Sequence, residues 1–190
     1  FIRDLNDNYL DIKSDILNII DLDKKFPDSD DLTNTTGRWN FIPFFEKDGS
    51  PNNTVLEQCP KIAYLMSKQT VNTDLGFAFV SVLTSKSSIA AHTGSTALRK
   101  RYHLPIQVPV VGESKIRIGS EWVSWVPGEA FSFYDAVEHE AIHNSDGDRI
   151  LLIVDVWPEV LPSQLVDFIK ENKDLLKYAT DGRQEVAVND

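Results

Sequence analysis

Sulfur-containing and basic residues are scarce in this sequence of 190 residues. It has one cysteine, Cys59, and one methionine, Met66. A lone cysteine excludes an internal disulfide framework and fits a reducing compartment, so we expect a cytoplasmic protein. Lysine and arginine total 19 against 29 aspartates and glutamates, a net charge of −10. This charge argues against nucleic acid as a partner, because proteins that bind nucleic acids present a basic face.

Long apolar runs are also missing from the chain. None reaches the ~18 residues that a membrane-spanning helix needs, and no charged-then-apolar leader stands at the N-terminus. The first residue is Phe1 rather than Met. We therefore expect the natural N-terminus to be missing or processed, and a membrane association through an upstream segment stays open.

The apolar pattern predicts a β-rich core with a helix at each end. Residues 4–20 and 161–178 have apolar side chains at helical spacing. Between 76 and 157, short β-branched and aromatic runs alternate with turn-forming residues, which is typical of an all-β sandwich or barrel. We predict one domain, 1–190, made of an N-terminal helix and loop (1–36), a β core (37–160) and a C-terminal helix and tail (161–190).

Histidines and arginines concentrate in the β-rich half. Arg99, Arg101 and His103 alternate along one run, so on a strand they would share a face. Uncompensated charge on a buried face would be very costly. We therefore expect either a solvated face or a site that receives an anion. Arg149 opens the most apolar run, 150–156, where it is either an ordinary charge at a strand end or a guanidinium that grips a carboxylate inside the barrel.

Two of the histidine pairs offer alternative metal sites. His139, Glu140 and His143 match the HExxH pattern of zinc proteases, which requires a helix. The aromatic run before this motif and the turn-forming residues after it argue against a helix. The other hypothesis pairs His92 with His139 from two strands, as in iron oxygenases, which usually add a carboxylate. That carboxylate normally stands two residues after the first histidine, where this chain has Gly94, so no third ligand is evident.

Several separated motifs occur in one order and spacing. They are residues 92–104, 133–140 and 154–158, with Arg149 between the last two, and Ser81 eleven residues before the first. Trp39 and Cys59 are weaker landmarks. Together these motifs resemble the aspartyl/asparaginyl β-hydroxylase family over residues 37–160.

This resemblance implies a mainly β fold with flanking helices, built on a double-stranded β-helix, the jelly-roll or cupin-like core. It implies an iron(II)- and 2-oxoglutarate-dependent dioxygenase that consumes O2, hydroxylates an aspartyl- or asparaginyl-type β-carbon and releases succinate and CO2. The substrate would be a small molecule or peptide with a carboxylate or amide. The implied roles are iron binding by His92 and His139, 2-oxoglutarate binding by Ser81, Arg101, His103 and Arg149, and substrate binding by Arg99.

Other functions stay open on the same scaffold. With Gly94 in place of a carboxylate, the third iron position would take water, or a halide as in radical halogenases. A jelly-roll domain can also persist as a binding module without activity. The chain departs from the family at residues 85–86, where Pro-Gly is common, and it has none of the extra N-terminal domains of members that act on secreted modules.

Overall fold

The computed structural model of the chain describes residues 1–22, 35–46, 48–69 and 71–172. Two helices begin it, α1 (Ile2–Asp7) and α2 (Tyr9–Leu22). The single helix predicted over 4–20 was wrong in this detail, because the backbone leaves the helical region at Asn8 (φ −106°, ψ 15°). Most of the loop predicted up to residue 36 and the end of the predicted C-terminal helix lie outside the described residues.

Ten strands and three further helices follow in the described chain, and the predicted β-rich core is confirmed. In order they are β1 (Thr35–Thr36), β2 (Trp39–Pro43), α3 (Asn53–Leu56), α4 (Pro60–Ser67), β3 (Ala78–Leu83), β4 (Ser87–His92), β5 (Lys100–Gln107), β6 (Gly112–Ile118), β7 (Glu121–Ser124), β8 (Phe131–Tyr134), β9 (His139–Ser145), β10 (Arg149–Val156) and α5 (Ser163–Glu171).

The strands form two five-stranded antiparallel sheets. The first has the order β1-β4-β9-β6-β7 and the second β2-β3-β10-β5-β8. An inner core of apolar side chains from both sheets fills the space between them. A second core lies between the outer face of the second sheet and the helices α1, α2 and α4. The predicted jelly-roll architecture with flanking helices is therefore confirmed.

Strand β10 explains how polar groups reach the interior. Every one of its residues is buried, as its continuous apolar run predicts, because it is central in the sheet and covered on both faces. Side chains alternate along a strand. Leu152 and Val154 therefore enter the outer core, while Leu151 and Ile153 enter the inner one.

The same alternation places Arg149 and Asp155 on the inner face, at opposite ends of β10 and roughly 20 Å apart along the strand. Neighbouring strands continue this arrangement, since Asp155 pairs with Arg101 and Leu151 with Ser81 in the sheet register. The interior thus has two polar ends separated by apolar side chains.

Among the described residues, none of the helices combines the length and apolar character of a membrane span.

Candidate active site

The two histidines proposed as iron ligands lie side by side. His92 ends β4 and His139 begins β9, the two residues are paired in the sheet register, and their ring centroids are 4.2 Å apart. Each ring has its Nδ1 atom 2.8 Å from the backbone oxygen two residues earlier, that of Ala90 and that of Val137. A carbonyl can only accept, so Nδ1 bears a proton in both rings, and a ring in its neutral form leaves the Nε2 lone pair for a ligand. This is the tautomer and outer support that metal-binding imidazoles use.

The environment of His139 keeps its ring neutral. Burial above all, together with nearby His92, lowers its pKa to about 4, against the raising effect of the Val137 carbonyl. The Oδ1 atom of Asp135 lies 3.6 Å from Nε2 of His139. A neutral imidazole with a free Nε2 can act as a metal ligand at neutral pH. Among the residues that the structure describes, no group of three or more His, Cys, Asp or Glu side chains is arranged to hold a metal.

Next to this pair, two arginines and two aspartates form a buried network, which we call the charge quartet: Arg99, Arg101, Asp135 and Asp155. Arg101 donates from Nε and Nη2 to Asp155, both at 2.8 Å, and its Nη1 lies 2.5 Å from Asp135. Arg99 donates from Nε and Nη2 to Asp135 at 2.8 and 2.5 Å, and from Nη1 to the Leu75 oxygen. The four formal charges sum to zero.

The charge quartet corrects the expectation from sequence. The alternation of Arg99, Arg101 and His103 predicted either a solvated face or an anion site. The solvated face was wrong, because the face is buried, and carboxylates of the same chain compensate both arginines. Burial raises the pKa of Asp135, but Arg101 and Arg99 outweigh this and hold it below its ordinary value.

Gly94 is the residue that leaves room for this network. A Cβ atom at this position would overlap the Asp135 carboxylate. The backbone N–H of Gly94 also donates to the Asp135 backbone oxygen at 2.8 Å, so the two segments touch. The carboxylate of Asp135 therefore occupies the space that a side chain at position 94 would need.

At the other end of the interior, Arg149 has no carboxylate partner in the part of the chain that the structure describes. It is 2% exposed, its Nη2 donates to the Ser81 hydroxyl at 2.8 Å, and its Nε has no hydrogen-bond partner among the described residues. The guanidinium lies over the Trp125 ring, 4.7 Å from the centroid. Burial lowers its pKa to about 9, so it is still a cation at neutral pH. Burial of Arg149 argues against an ordinary charge at a strand end, the first of the two alternatives from sequence.

One pocket connects the two ends. It contains about 380 Å³ of space free of atoms, part of it open to solvent. Residues of both sheets line it: Trp39, Ser81, Ile89, His92, Arg101, His103, Ile116, Trp125, His139, Glu140, Ala141, Arg149 and Ile153. Six of the seven residues proposed from sequence are in this set. Arg99 lies beside the pocket, in the charge quartet.

The helix required by the zinc-protease hypothesis does not form, because residues 139–145 are strand β9. His143 is four residues from His139, roughly 13 Å along a strand. Its ring is buried and already has two partners, the Ser114 hydroxyl at 3.0 Å and the Gly147 oxygen at 2.8 Å. His143 is therefore a structural residue, and that hypothesis is wrong.

Four further residues of the site were not assigned a role from sequence: Trp39, Trp125, Asp135 and Asp155. Asp155 has a recoverable signal, because it follows Leu151 and Ile153 at alternating positions and so faces the same side. Trp125 comes just after β7, and no local pattern indicates that it covers Arg149. Such contacts depend on which strands become neighbours.

Solved structures with a similar fold include cupin domains. The Cupin_2 domain of an XRE family transcriptional regulator from Enterobacter cloacae has a TM-score of 0.41 and 14% identity, covering 64% of this chain and 98% of that one. A predicted oxalate decarboxylase from Thermotoga maritima has a TM-score of 0.43 and 12% identity, covering 66% and 85%.

Proteins that are similar in sequence identify the family more specifically than the structural similarities do. Mouse and human aspartyl/asparaginyl beta-hydroxylase are each 30% identical over 167 residues, covering 86% of this chain but 22% of the relative, so the chain spans about a fifth of their length. Ornithine lipid ester-linked acyl 2-hydroxylase of Rhizobium tropici is 25% identical over 177 residues, 89% of this chain and 62% of that protein. The family model for aspartyl/asparaginyl beta-hydroxylase matches residues 6–159. With paired histidines, a buried arginine and a match over most of its length, the chain belongs to the aspartyl/asparaginyl beta-hydroxylase family.

Proposed function

We propose that this domain is an iron(II)- and 2-oxoglutarate-dependent hydroxylase. The observation that carries the proposal is Arg149, a buried cation without a counter-ion at the bottom of a pocket whose mouth has two free imidazole Nε2 atoms. Burying an unpaired charge is costly. Such an arrangement is retained where a ligand supplies the missing charge, and a dicarboxylic acid that also reaches the metal would supply it.

The side chains that line the pocket fit both iron(II) and 2-oxoglutarate. His92 and His139 would hold iron(II), which prefers imidazole nitrogen among such ligands. The iron, when bound, would supply the oxygen chemistry that couples conversion of 2-oxoglutarate and O2 to succinate and CO2 with hydroxylation of a substrate carbon. Arg149 and Ser81 would bind the distal carboxylate, because a guanidinium grips two oxygens at once. The co-substrate would thereby be oriented before reaction, and the protein contributes position and charge.

Arg101 and His103 would lie near the end of the co-substrate that faces the metal. Burial, together with Arg101, Arg149 and His139, lowers the pKa of His103 well below its ordinary value, so its ring is neutral. Burial lowers the pKa of Arg101 too, but Asp155 outweighs it and keeps the guanidinium charged. Both side chains would act through N–H donation at fixed positions.

Arg99 remains the candidate substrate contact. Its guanidinium stands over Phe77, a half-exposed ring 5.8 Å away, and Nη1 gives only one of its two protons to Leu75. The remaining N–H would bind a carboxylate or amide oxygen of a small-molecule or peptide substrate. The names of the relatives offer two substrate classes to compare, aspartyl or asparaginyl groups and acyl chains. The buried free thiol of Cys59 is compatible with the cytoplasmic location proposed from sequence.

The test combines turnover and metal binding. Purified protein would receive iron(II), ascorbate and 2-oxoglutarate with asparaginyl peptides or acyl substrates, and succinate and hydroxylated or chlorinated product would be measured. We expect the double variant His92→Ala/His139→Ala to lose iron binding and succinate formation, while the control His143→Ala keeps both. Loss of iron in the control alone would contradict the ligand assignment. Chloride-dependent product would favour the halogenase alternative, and no succinate with any substrate would contradict the proposal.

A further inference from the structure

Two tryptophans donate hydrogen bonds to side chains that line the pocket. Trp39 donates from Nε1 to the Ser81 hydroxyl oxygen at 2.9 Å, and Trp125 donates from Nε1 to Nδ1 of His103 at 3.4 Å. An indole N–H can only donate. Each tryptophan therefore fixes its partner as the acceptor in that bond, and this restricts where the partner can place its own proton.

Ser81 has no acceptor capacity left. A hydroxyl oxygen accepts through two lone pairs and donates one proton. One lone pair receives the Trp39 indole N–H and the other receives Nη2 of Arg149 at 2.8 Å. The Ser81 proton has no protein acceptor among the described residues. Since Ser81 lines the pocket, its proton is free for a bound ligand.

His103 is constrained in the same way. The ring is buried among Trp125, Phe131 and Phe133 and is neutral, so one nitrogen donates and the other accepts. Because Nδ1 accepts from Trp125, the proton is on Nε2, which has no partner among the described residues. Trp125 also covers Arg149 with its ring face, so this one side chain supports both ends of the pocket.

We propose that Trp39 and Trp125 are positioning residues that fix the polarity of the pocket. Through them, the polar side chains of Ser81, His103 and Arg149 offer protons only. Such a pocket selects a fully ionised 2-oxo dicarboxylic acid and rejects an analogue whose distal end is an amide, because the amide NH2 would face donors with no acceptor. This inference rests on the proposed function and adds to it the residues that determine co-substrate specificity.

The first test reads the tautomer of His103 directly in the wild-type protein. Nitrogen-15 NMR of histidine-labelled protein, with His103→Gln to assign the signal, reports which ring nitrogen bears the proton. We expect the Nε2–H form in the wild type and a mixture of tautomers in Trp125→Phe, which keeps a ring against Arg149 but has no N–H. If Nδ1 bears the proton in the wild type, the proposed role of Trp125 is wrong, and this result needs no Trp125 variant.

The second test measures binding without turnover. Anaerobic iron(II)-loaded protein would be titrated by calorimetry with 2-oxoglutarate and with its distal amide. Losing one oriented hydrogen bond to a charged group costs about tenfold in affinity. We expect Trp39→Phe and Trp125→Phe each to bind 2-oxoglutarate about tenfold more weakly and to discriminate less against the amide. Ser81→Ala should show the same loss, and it serves as the measurement for this contact if Trp39→Phe does not fold.

Trp122→Phe is the matched control. Trp122 lies three residues before Trp125, is 42% exposed and stacks with Lys115 away from the pocket, so its substitution should leave both affinities unchanged. Wild-type affinity in Trp39→Phe and Trp125→Phe, together with lost binding in Arg149→Gln, would overturn the inference and leave the proposed function standing. No binding of 2-oxoglutarate to the wild type would overturn both.

Discussion

The two polar ends of the interior differ in how the charge of a buried arginine is compensated. We call the end with the charge quartet the open end and the end with Arg149 the deep end. At the open end, Arg99 and Arg101 are compensated by Asp135 and Asp155, and each carboxylate contacts both guanidiniums. At the deep end, Arg149 has a serine hydroxyl, an aromatic face and no carboxylate in the described chain. Buried charges are normally paired. The charges of the open end are thus compensated within the protein itself, whereas under the proposed function the co-substrate would supply the missing charge at the deep end.

This comparison also distinguishes arginines whose charge is compensated by carboxylates of the chain from Arg149, more sharply than burial does. All three arginines are largely buried, so accessibility alone does not distinguish them. What differs is whether the hydrogen-bonding capacity is used within the chain. Arg101 has Nε and Nη2 bonded to Asp155 and Nη1 close to Asp135. Nε of Arg149, by contrast, has no hydrogen-bond partner among the residues with described positions.

The largest expected effect comes from removing a charge at the open end. Asp135→Asn keeps the shape of the side chain but leaves Arg99 and Arg101 with a single carboxylate between them. Breaking a buried pair by removing one partner costs about 3–5 kcal/mol. We therefore expect the free energy of unfolding of the metal-free protein to fall by that amount in urea denaturation.

Glu138→Gln is the control for Asp135→Asn, because it removes a carboxylate from an ion pair at the surface. Glu138 pairs with Arg117 at 2.9 Å, but its side chain is 56% exposed, and such pairs contribute about 0–1 kcal/mol. Equal effects of Asp135→Asn and Glu138→Gln would show that the charge quartet is solvated in solution, and the contrast between the two ends would be lost.

A second prediction concerns ligand binding at the deep end. Arg149→Gln removes the charge that would bind the distal carboxylate of 2-oxoglutarate. Truncating one partner of a buried charge pair costs about 2–5 kcal/mol, so the dissociation constant should rise by at least ~30-fold. Lys115→Gln, which removes a cation that stacks on Trp122, serves as the control. An unchanged dissociation constant for Arg149→Gln would show that another residue receives the carboxylate.

A third prediction concerns the stability of the protein without ligand, which a substitution of Arg149 should raise. Arg149→Met replaces an unpaired buried cation with an apolar side chain of similar length. Replacing buried charges by well-packed apolar residues is often stabilising, by about 1–4 kcal/mol. We expect the ligand-free protein to gain about 1 kcal/mol in urea denaturation while losing 2-oxoglutarate binding. A loss of stability would mean that Arg149 contributes to the fold through Trp125 and Ser81 rather than waiting for a ligand.

Local pattern was sufficient for most of the fold. The apolar run at 150–156 predicts a strand covered on both faces, and alternation along it places Arg149 and Asp155 inside. The helix break at Asn8 was missed because apolar spacing continues across it. The two-residue strand β1 is too short to produce a periodic signal.

The site was harder to predict because its electrostatics depend on contacts distant in sequence. Arg101 and Asp155 are 54 residues apart, and Trp125 and His103 are 22 apart. Residue spacing shows that Arg101 shares a face with His103, but it does not show which carboxylate lies opposite. The absence of a side chain at Gly94 was visible, whereas its cause, the carboxylate of Asp135 in the same space, appears only in three dimensions.

The smallest expected effect concerns His143, the histidine outside the site. Burial lowers its pKa below the ordinary value near 6.5, against the raising effect of the Gly147 carbonyl, so the folded protein keeps this ring neutral. In the unfolded chain the ring takes up a proton once the pH falls below ~6.5. The unfolded state then binds more protons, and the contribution of His143 to stability is present above that pH and lost below it.

His143→Gln removes this titration, so the stability difference between wild type and variant should shrink from about pH 7 to about pH 5. Urea denaturation with chelator present at both pH values measures it, since His103 and His139 titrate equally in the two proteins. A difference that does not change with pH would mean that folding leaves the proton affinity of His143 unaltered.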